Sequence, residues 1–408
     1  MTSDWRPRQA VILAGGRGER MRPFTDHTPK HLYPFHGKPF AAHLVELLAG
    51  RGFERVLFLL GYRADATKAA LEDGSRYGVR IEYDVTPPQW QTTLRMRHVR
   101  GRLDPVFAMF YCDNWWPMPF LKMWEAYRRS GAAVQLTGYD NADRYSTPNL
   151  EHDLSGRVIA YGKTEMARAV DIGFAIIDRS VVDQLPEEDA PLEAMLYPRL
   201  AAEGRLQAFL TAHRYCGVGK PERLAETARM LGPQRTLLVD RDGVLNRRPA
   251  VGEYVRSWAD WEWMPGAREG LAKLRRSGWR VAVVTNQAGV ARGMVSAEAL
   301  AEIHCRMIAE SSGVIEGVYV CPHGWDEGCR CRKPAPGLLH EAQRAFDLDL
   351  SRTWFAGDDE RDAQAAEAAG CRFFQMAADG AWQRLLGALE LEETVVEQRT
   401  VKEAACVS

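Results

Sequence analysis

Short runs of β-branched and aromatic residues alternate with helically spaced ones along both halves of the chain, a pattern that predicts parallel sheets covered by helices. In the first half QAVILA, RVLFLL, VRIEYDV, VFAMFYCD and AAVQLTGY read as strands, with PFAAHLVELLAGRG among the helices between them. In the second half TLLVD, RVAVVTN, GVYVC, TWFAGD and CRFFQM take that part, separated by GAREGLAKLRRSG, SAEALAEIHCRMIAESSG and HEAQRAFDLD. Gly232-Pro233 follows the helical PERLAETARM and precedes a fresh strand, which sets a domain boundary there. The predicted organisation is one α/β domain over 1–232, a second over 233–385 and a charged C-terminal tail over 386–408, in which ALELEETVVEQRTVKEAACVS reads as a helix followed by a frayed end.

The 408 residues are 46% hydrophobic and 26% charged with a net charge of −1, so the partners expected are small molecules rather than a nucleic acid polymer or a membrane surface. The opening MTSDWRPRQAVILAGG lacks the charged-then-apolar layout of a secretory signal, and no apolar run reaches the roughly 20 residues that span a bilayer. A cytoplasmic chain is predicted, in which Cys112, Cys216, Cys305, Cys371 and Cys406 are reduced thiols. The oligomeric state is not legible.

That compartment decides how to read CPHGWDEGCRCRKPAP. Cys321, His323, Cys329 and Cys331 form C-x-H-x5-C-x-C, a loop able to close around one tetrahedral zinc ion with no open position, which is the pattern of a structural site. Lys333 follows the last ligand by two residues, so the metal is expected to position that cation.

Asp240 and Asp242 stand two residues apart at the end of an apolar strand, where open α/β sheets bind ligands. Thr285-Asn286-Gln287, Arg332-Lys333-Pro334 and Gly357-Asp358-Asp359 close later segments in the same way. With these motifs residues 235–380 resemble the haloacid dehalogenase-like phosphatases. The resemblance implies that Asp240 attacks phosphorus, Asp242 protonates the leaving oxygen and then activates water, Thr285 and Lys333 hold the phosphoryl group, and Asp240, Asp242 (through its carbonyl) and Asp358 bind Mg²⁺. Asn286, Gln287, Arg292 and Arg332 are expected to meet substrate. Asp359 has no assigned role, and Asp362 stays open between a site carboxylate and one that caps a helix. DRDGVLN, TNQAGVARG, the zinc loop and CRKPAPGLL are similar to the heptose 1,7-bisphosphate phosphatases, with histidinol-phosphate phosphatases as the nearest alternative.

VILAGGRGERMRPFTDHTPKHLYPFHGKP, near the start, carries a glycine-rich turn after a strand, with cations close behind. Its G-G-x-G-x-R, P-x-T, P-K and G-K-P strings resemble the sugar-1-phosphate nucleotidyltransferases over residues 8–230. By that resemblance Gly15, Gly16 and Gly18 cradle the nucleotide, Arg20 and Lys30 stabilise charge at the α-phosphate, Asp113 binds Mg²⁺, and Lys163 and Gly173 hold the sugar phosphate. Asn149 and Glu165 are as readily surface residues as sugar contacts.

Two strings depart from the family. Gly217 stands where a second metal aspartate is usual, with Asp171 as a replacement the sequence cannot place. WQTTLRM replaces the usual glycine-threonine-alanine string. The fold expected is therefore a Rossmann-like nucleotidyltransferase domain followed by a Rossmannoid phosphatase domain with a zinc loop. The function expected is a bifunctional enzyme that acts on a sugar phosphate and a nucleoside triphosphate to make an NDP-heptose, with GTP ahead of ATP. A non-catalytic, sugar-phosphate-binding first domain is the alternative that Gly217 keeps open.

Overall fold

The computed structural model describes residues 6–250, 252–376 and 380–390. The chain folds as two compact units, Met1–Gly232 and Pro233–Ser408.

The first unit is built on a seven-stranded sheet. Its strands are β1 (Gln9–Ala14), β2 (Arg55–Leu60), β3 (Arg80–Val85), β4 (Val106–Tyr111), β5 (Val134–Tyr139), β6 (Val170–Asp178) and β7 (Leu206–Thr211), in the order β7-β5-β6-β4-β1-β2-β3. Strand side chains alternate between faces, so Val11, Leu13, Leu57 and Leu59 enter one core while Ile12, Phe58 and Leu60 enter another. Both faces are thus apolar and need cover. Helix α1 (Phe40–Gly50) supplies Leu44, Val45 and Leu48 to one face, and Met96, Tyr197 and Leu200 from later helices cover the other.

The expected all-parallel pattern holds for β1 with β2 and β4, but β6 runs antiparallel to both β4 and β5. Neither β6 nor β7 stood among the expected strands. The direction of an inserted strand depends on its neighbours and has no local signature; the register irregularity between Asp171 and Ala175 marks where the inserted strand adapts.

In the second unit all five expected strands form: β8 (Thr236–Val239), β9 (Arg280–Asn286), β10 (Ile315–Cys321), β11 (Trp354–Gly357) and β12 (Arg372–Gln375). They make one parallel sheet in the order β10-β9-β8-β11-β12. The three expected helices form, as α2 (Ala267–Arg276), α3 (Ala297–Glu310) and α4 (Gly337–Phe346), and a fourth, α5 (Glu360–Ala369), was not among them. Ser296 caps α3 by accepting the Ala299 N–H at 3.1 Å.

Residues 381–390 are helical, and Leu385 and Leu389, spaced i and i+4, pack into the core beneath the sheet. The expected break at 385 therefore falls inside a packed helix, and the expected tail from 391 lies outside the described residues. Among the described residues no helix is long and apolar enough to cross a membrane.

Leu238, on the central strand and 0% exposed, tests this packing. Leu238→Ala should cost about 2–5 kcal/mol. Hydrogen exchange should then show amide protection lost across β8 to β12 while β1 to β7 keep theirs.

Candidate functional site

The carboxyl ends of β8, β9 and β11 converge on a cavity of about 300 Å³. Asp240 follows β8 directly, and its N–H donates to the Ala356 carbonyl at 2.9 Å, which ties it to the end of β11. Lys333 is 2% exposed, yet its Nζ lies 2.8 Å from Asp240 Oδ1 and 2.6 Å from Asp362 Oδ1 and donates to the Val284 carbonyl at 2.9 Å. One ammonium thus serves two buried carboxylates. Burial, joined by repulsion from Asp362 and Asp242, outweighs the attraction of Lys333 and pushes Asp240 up to about 7. For Lys333 burial works downward, but the two carboxylates prevail and raise it.

Asp242 titrates the other way. Burial would raise it, but the Arg241 guanidinium donates to both carboxylate oxygens at 3.0 Å, Asn246 donates at 2.9 Å and Gln287 at 2.8 Å, and together they hold it below the usual carboxylate range. Two aspartates two residues apart are therefore shifted in opposite directions. Gln287 also donates to Thr285 Oγ1 at 2.8 Å and so fixes the hydroxyl relative to Asp242.

Asp358 crowds Gly243, where a Cβ would lie 2.0 Å from Asp358 Oδ2 and where φ is +90°, so glycine is required on both counts. Asp358 Oδ1 is buried without a hydrogen-bond partner, and carboxylate oxygens of Asp240, Asp358 and Asp362 lie within 4.8 Å of one another. An orphaned oxygen in a cluster of hard donors fits Mg²⁺.

The Cys321, His323, Cys329 and Cys331 donor atoms also lie within 4.8 Å of one another. Neighbouring separations run from 3.2 Å (His323 Nδ1 to Cys331 Sγ) to 3.6 Å (Cys321 Sγ to Cys329 Sγ), close to the edges of a tetrahedron with metal–sulfur bonds of about 2.3 Å. The donor set fits a closed zinc site. Cys321 ends β10, so the loop is anchored to the sheet, and it delivers Lys333 back to β9. There Asn286 grips the lysine backbone, accepting the Lys333 N–H and donating to its carbonyl, both at 3.0 Å.

Several expected substrate contacts are already engaged by neighbouring groups. Asn286 and Gln287 line the cavity but spend their amides on Lys333, Asp242 and Thr285. Arg292 is absent from the cavity wall; it donates to Tyr254 Oη at 3.0 Å and stacks on Trp325 at 4.8 Å. Arg332 lines the cavity as expected. Asp362 fills both roles left open for it, since its Oδ2 accepts the Asp359 N–H at 3.2 Å in a capping box while its Oδ1 meets Lys333. Arg248, which pairs with Asp358 at 3.2 Å and Asp359 at 2.6 Å, was not foreseen and has no motif around it.

In the first unit β1 runs into the Gly15, Gly16 and Gly18 turn, and a cavity of about 330 Å³ opens nearby, lined by Arg20, Asp113, Asn114, Asp171, Lys220 and Arg223 among others. Lys30 meets Asp113, with Nζ 2.5 Å from Oδ2. Burial would raise Asp113, but Lys30 outweighs it and holds the carboxyl below its ordinary value.

Gly217 has no room for the missing aspartate. A Cβ there would lie 2.4 Å from the Asp113 carbonyl oxygen and 2.8 Å from Asn114 Oδ1. One carboxylate completed by nucleotide phosphates is still a donor set that Mg²⁺ accepts. Asp171 does reach this cavity, held by the Gly173 N–H at 2.9 Å and the Tyr161 hydroxyl at 3.1 Å. Lys163 is exposed and off its wall, as is Glu165, while Asn149 accepts the Asp171 N–H at 2.8 Å.

The departure in WQTTLRM also has a structural counterpart. Arg95 is 3% exposed and packs its guanidinium against Gly15 and Gly61, donating to the carbonyls of Leu60 at 2.7 Å, Pro87 at 2.9 Å and Trp90 at 3.1 Å.

A model of the nucleotidyl transferases matches residues 9–153, and one of the haloacid dehalogenase-like hydrolases matches residues 163–370. The chain is 40% identical over 140 residues to a D-glycero-beta-D-manno-heptose-1,7-bisphosphate 7-phosphatase of Bordetella bronchiseptica, covering 34% of this chain and 77% of that protein. It is 42% identical over 158 residues to a D-glycero-alpha-D-manno-heptose-1,7-bisphosphate 7-phosphatase of Mycobacterium bovis, covering 36% and 83%. The crystal structure of a D,D-heptose 1,7-bisphosphate phosphatase from B. bronchiseptica with magnesium and phosphate is 39% identical, with a TM-score of 0.33 over 35% of this chain and 79% of that one.

Burial pushes Asp171 up to about 7 from an ordinary 3.8. The folded state then binds its proton more tightly than the unfolded chain does, so the parent loses stability as pH rises from about 4 to about 7. Asp171→Asn has no such loss. Its melting temperature relative to the parent should climb across that window, as thermal unfolding at a series of pH values would read.

Proposed function

From the premise that the chain belongs to the haloacid dehalogenase-like hydrolases, with a nucleotidyl transferase domain ahead of the hydrolase, we propose that it is a bifunctional enzyme of NDP-heptose synthesis. The second unit removes the 7-phosphate of a heptose 1,7-bisphosphate, and the first transfers a nucleotidyl group to the resulting 1-phosphate. The observation that carries the phosphatase reading is Lys333, buried between Asp240 and Asp362 beside an Asp242 held by three donors.

Asp240 supplies the attacking oxygen. Its proton affinity in the free protein falls when cations gather at the site, because a carboxylate must be ionised to attack. Lys333 and the Thr285 hydroxyl hold the phosphoryl oxygens against it. Asp242 is ionised in the free protein; the negative charge of the bound ester raises its proton affinity, so that in the complex it takes up a proton, gives it to the departing sugar oxygen and later takes one from the water that opens the phosphoaspartate. Mg²⁺, held by Asp240, Asp358 and the Asp242 carbonyl, would neutralise phosphoryl charge. The zinc loop holds Lys333 in register. A zinc-bound thiolate set also suits a cytoplasmic location.

In the first unit Arg20 and Lys30 stabilise the α-phosphate while the glycine turn cradles the nucleotide, and Asp113 would hold Mg²⁺ on the phosphates. GTP is favoured as donor. Gly217 supports a second reading, in which this unit binds sugar phosphate without catalysing transfer.

A phosphorus NMR time course with each anomer of heptose 1,7-bisphosphate, Mg²⁺ and each nucleoside triphosphate tests both halves. Inorganic phosphate should appear first, then pyrophosphate and one sugar nucleotide. Asp240→Asn should abolish phosphate release, and Asp113→Ala should abolish pyrophosphate release. Phosphate without pyrophosphate for either anomer would establish the second reading. Chelation to a verified zinc-free state should lower phosphatase turnover by about tenfold or more, since Lys333 then loses its anchor; unchanged turnover would remove the loop from the mechanism.

A further inference from the structure

Trp325, on the loop between Cys321 and Cys329, is 60% exposed and lines the catalytic cavity. It is not left free to swing. The Arg292 guanidinium lies 4.8 Å from the centre of its ring and 5.9 Å from that of Tyr254, to whose hydroxyl it donates at 3.0 Å. Both aromatic rings line the catalytic cavity, whereas Arg292 does not, so the arginine joins the two rings from outside the wall. Arg332 lines the same cavity and, among the described residues, bonds only the His323 carbonyl, at 3.4 Å, which leaves most of its donors available to an anion.

We propose that Tyr254 and Trp325 form an aromatic slot for the sugar ring of the phosphatase substrate, positioned by Arg292, with Arg332 taking the anion at the far end of the sugar. The inference rests on the phosphatase reading above and specifies how its substrate is recognised. Sugar rings present faces of C–H groups that pack on aromatic rings, and an arginine fork matches phosphate geometry. An aromatic wall with a cation beyond it selects a phosphorylated sugar over a ringless phosphate ester.

The test measures phosphate release and product binding in the full chain. Trp325→Ala should raise KM for heptose 1,7-bisphosphate by about five- to tenfold. It should weaken binding of heptose 1-phosphate, measured by calorimetry, by a similar factor. Trp325→Phe should recover most of that loss. Arg332→Ala should reduce the preference for the bisphosphate over heptose 7-phosphate by about tenfold or more, because only the bisphosphate carries the distal anion.

Arg292→Ala should raise KM less than Trp325→Ala does, and the Arg292→Ala/Trp325→Ala double variant should be no worse than Trp325→Ala alone, since the arginine acts through the ring. An unchanged KM and product affinity in Trp325→Ala, or additive effects in the double variant, would overturn the slot. A parent protein that leaves both heptose esters intact would overturn the phosphatase reading beneath it, a result distinct from either of those.

Discussion

A buried lysine is the constraint on which the second unit depends. Lys333 must sit almost without solvent between Asp240 and Asp362, and removing one partner of such an arrangement typically costs about 3–5 kcal/mol because a charge is left uncompensated. The surrounding structure is arranged to keep it there. Asn286 at the end of β9 brackets its backbone, Val284 supplies a carbonyl to the ammonium, and the Cys321–Cys331 loop brings the chain to that point from β10. Asp362 reaches it because α5 begins at Glu360, one turn after β11 ends.

The first unit solves a related electrostatic problem with fewer carboxylates. Asp113 lies just beyond an apolar strand and is neutralised by Lys30, as Asp240 is by Lys333. In both places a cation offsets the repulsion that an anionic substrate would otherwise meet. The difference lies in the backbone around Asp113. Gly217 runs so close to the Asp113 carbonyl that a side chain there would collide, and the Asn114 amide oxygen occupies the space such a chain would enter. The absent aspartate is therefore part of a packed arrangement, and Asp171 reaches the same cavity from a different strand.

Motifs compact in sequence were legible before any fold was known. Cys321, His323, Cys329 and Cys331 fall within one loop, and Asp240 and Asp242 within one turn, so their spacing alone constrains how their donors can meet. Arg248, Tyr254, Trp325 and Arg95 had no such signal. Each acts through residues distant in the chain: Arg248 through Asp358 and Asp359, Tyr254 and Trp325 through Arg292, Arg95 through Leu60 and the backbone beside Gly15. Arg292, Asn286 and Gln287 were recognised as belonging to the site, but their hydrogen bonds to Tyr254, to the Lys333 backbone and to Asp242 and Thr285 needed coordinates.

By itself the sequence determined the two α/β units, their boundary, the five strands of the second sheet and the Cys/His cluster of the 321–331 loop, because each follows from local periodicity, turn chemistry or short spacing. Tertiary structure alone decided that β6 enters the first sheet antiparallel, that Leu385 and Leu389 pack into the second unit's core, and that Asp362 completes the lysine's surroundings. Strand direction, burial and charge pairing depend on which distant segments become neighbours, and the free energy of those contacts is settled only when the whole unit packs.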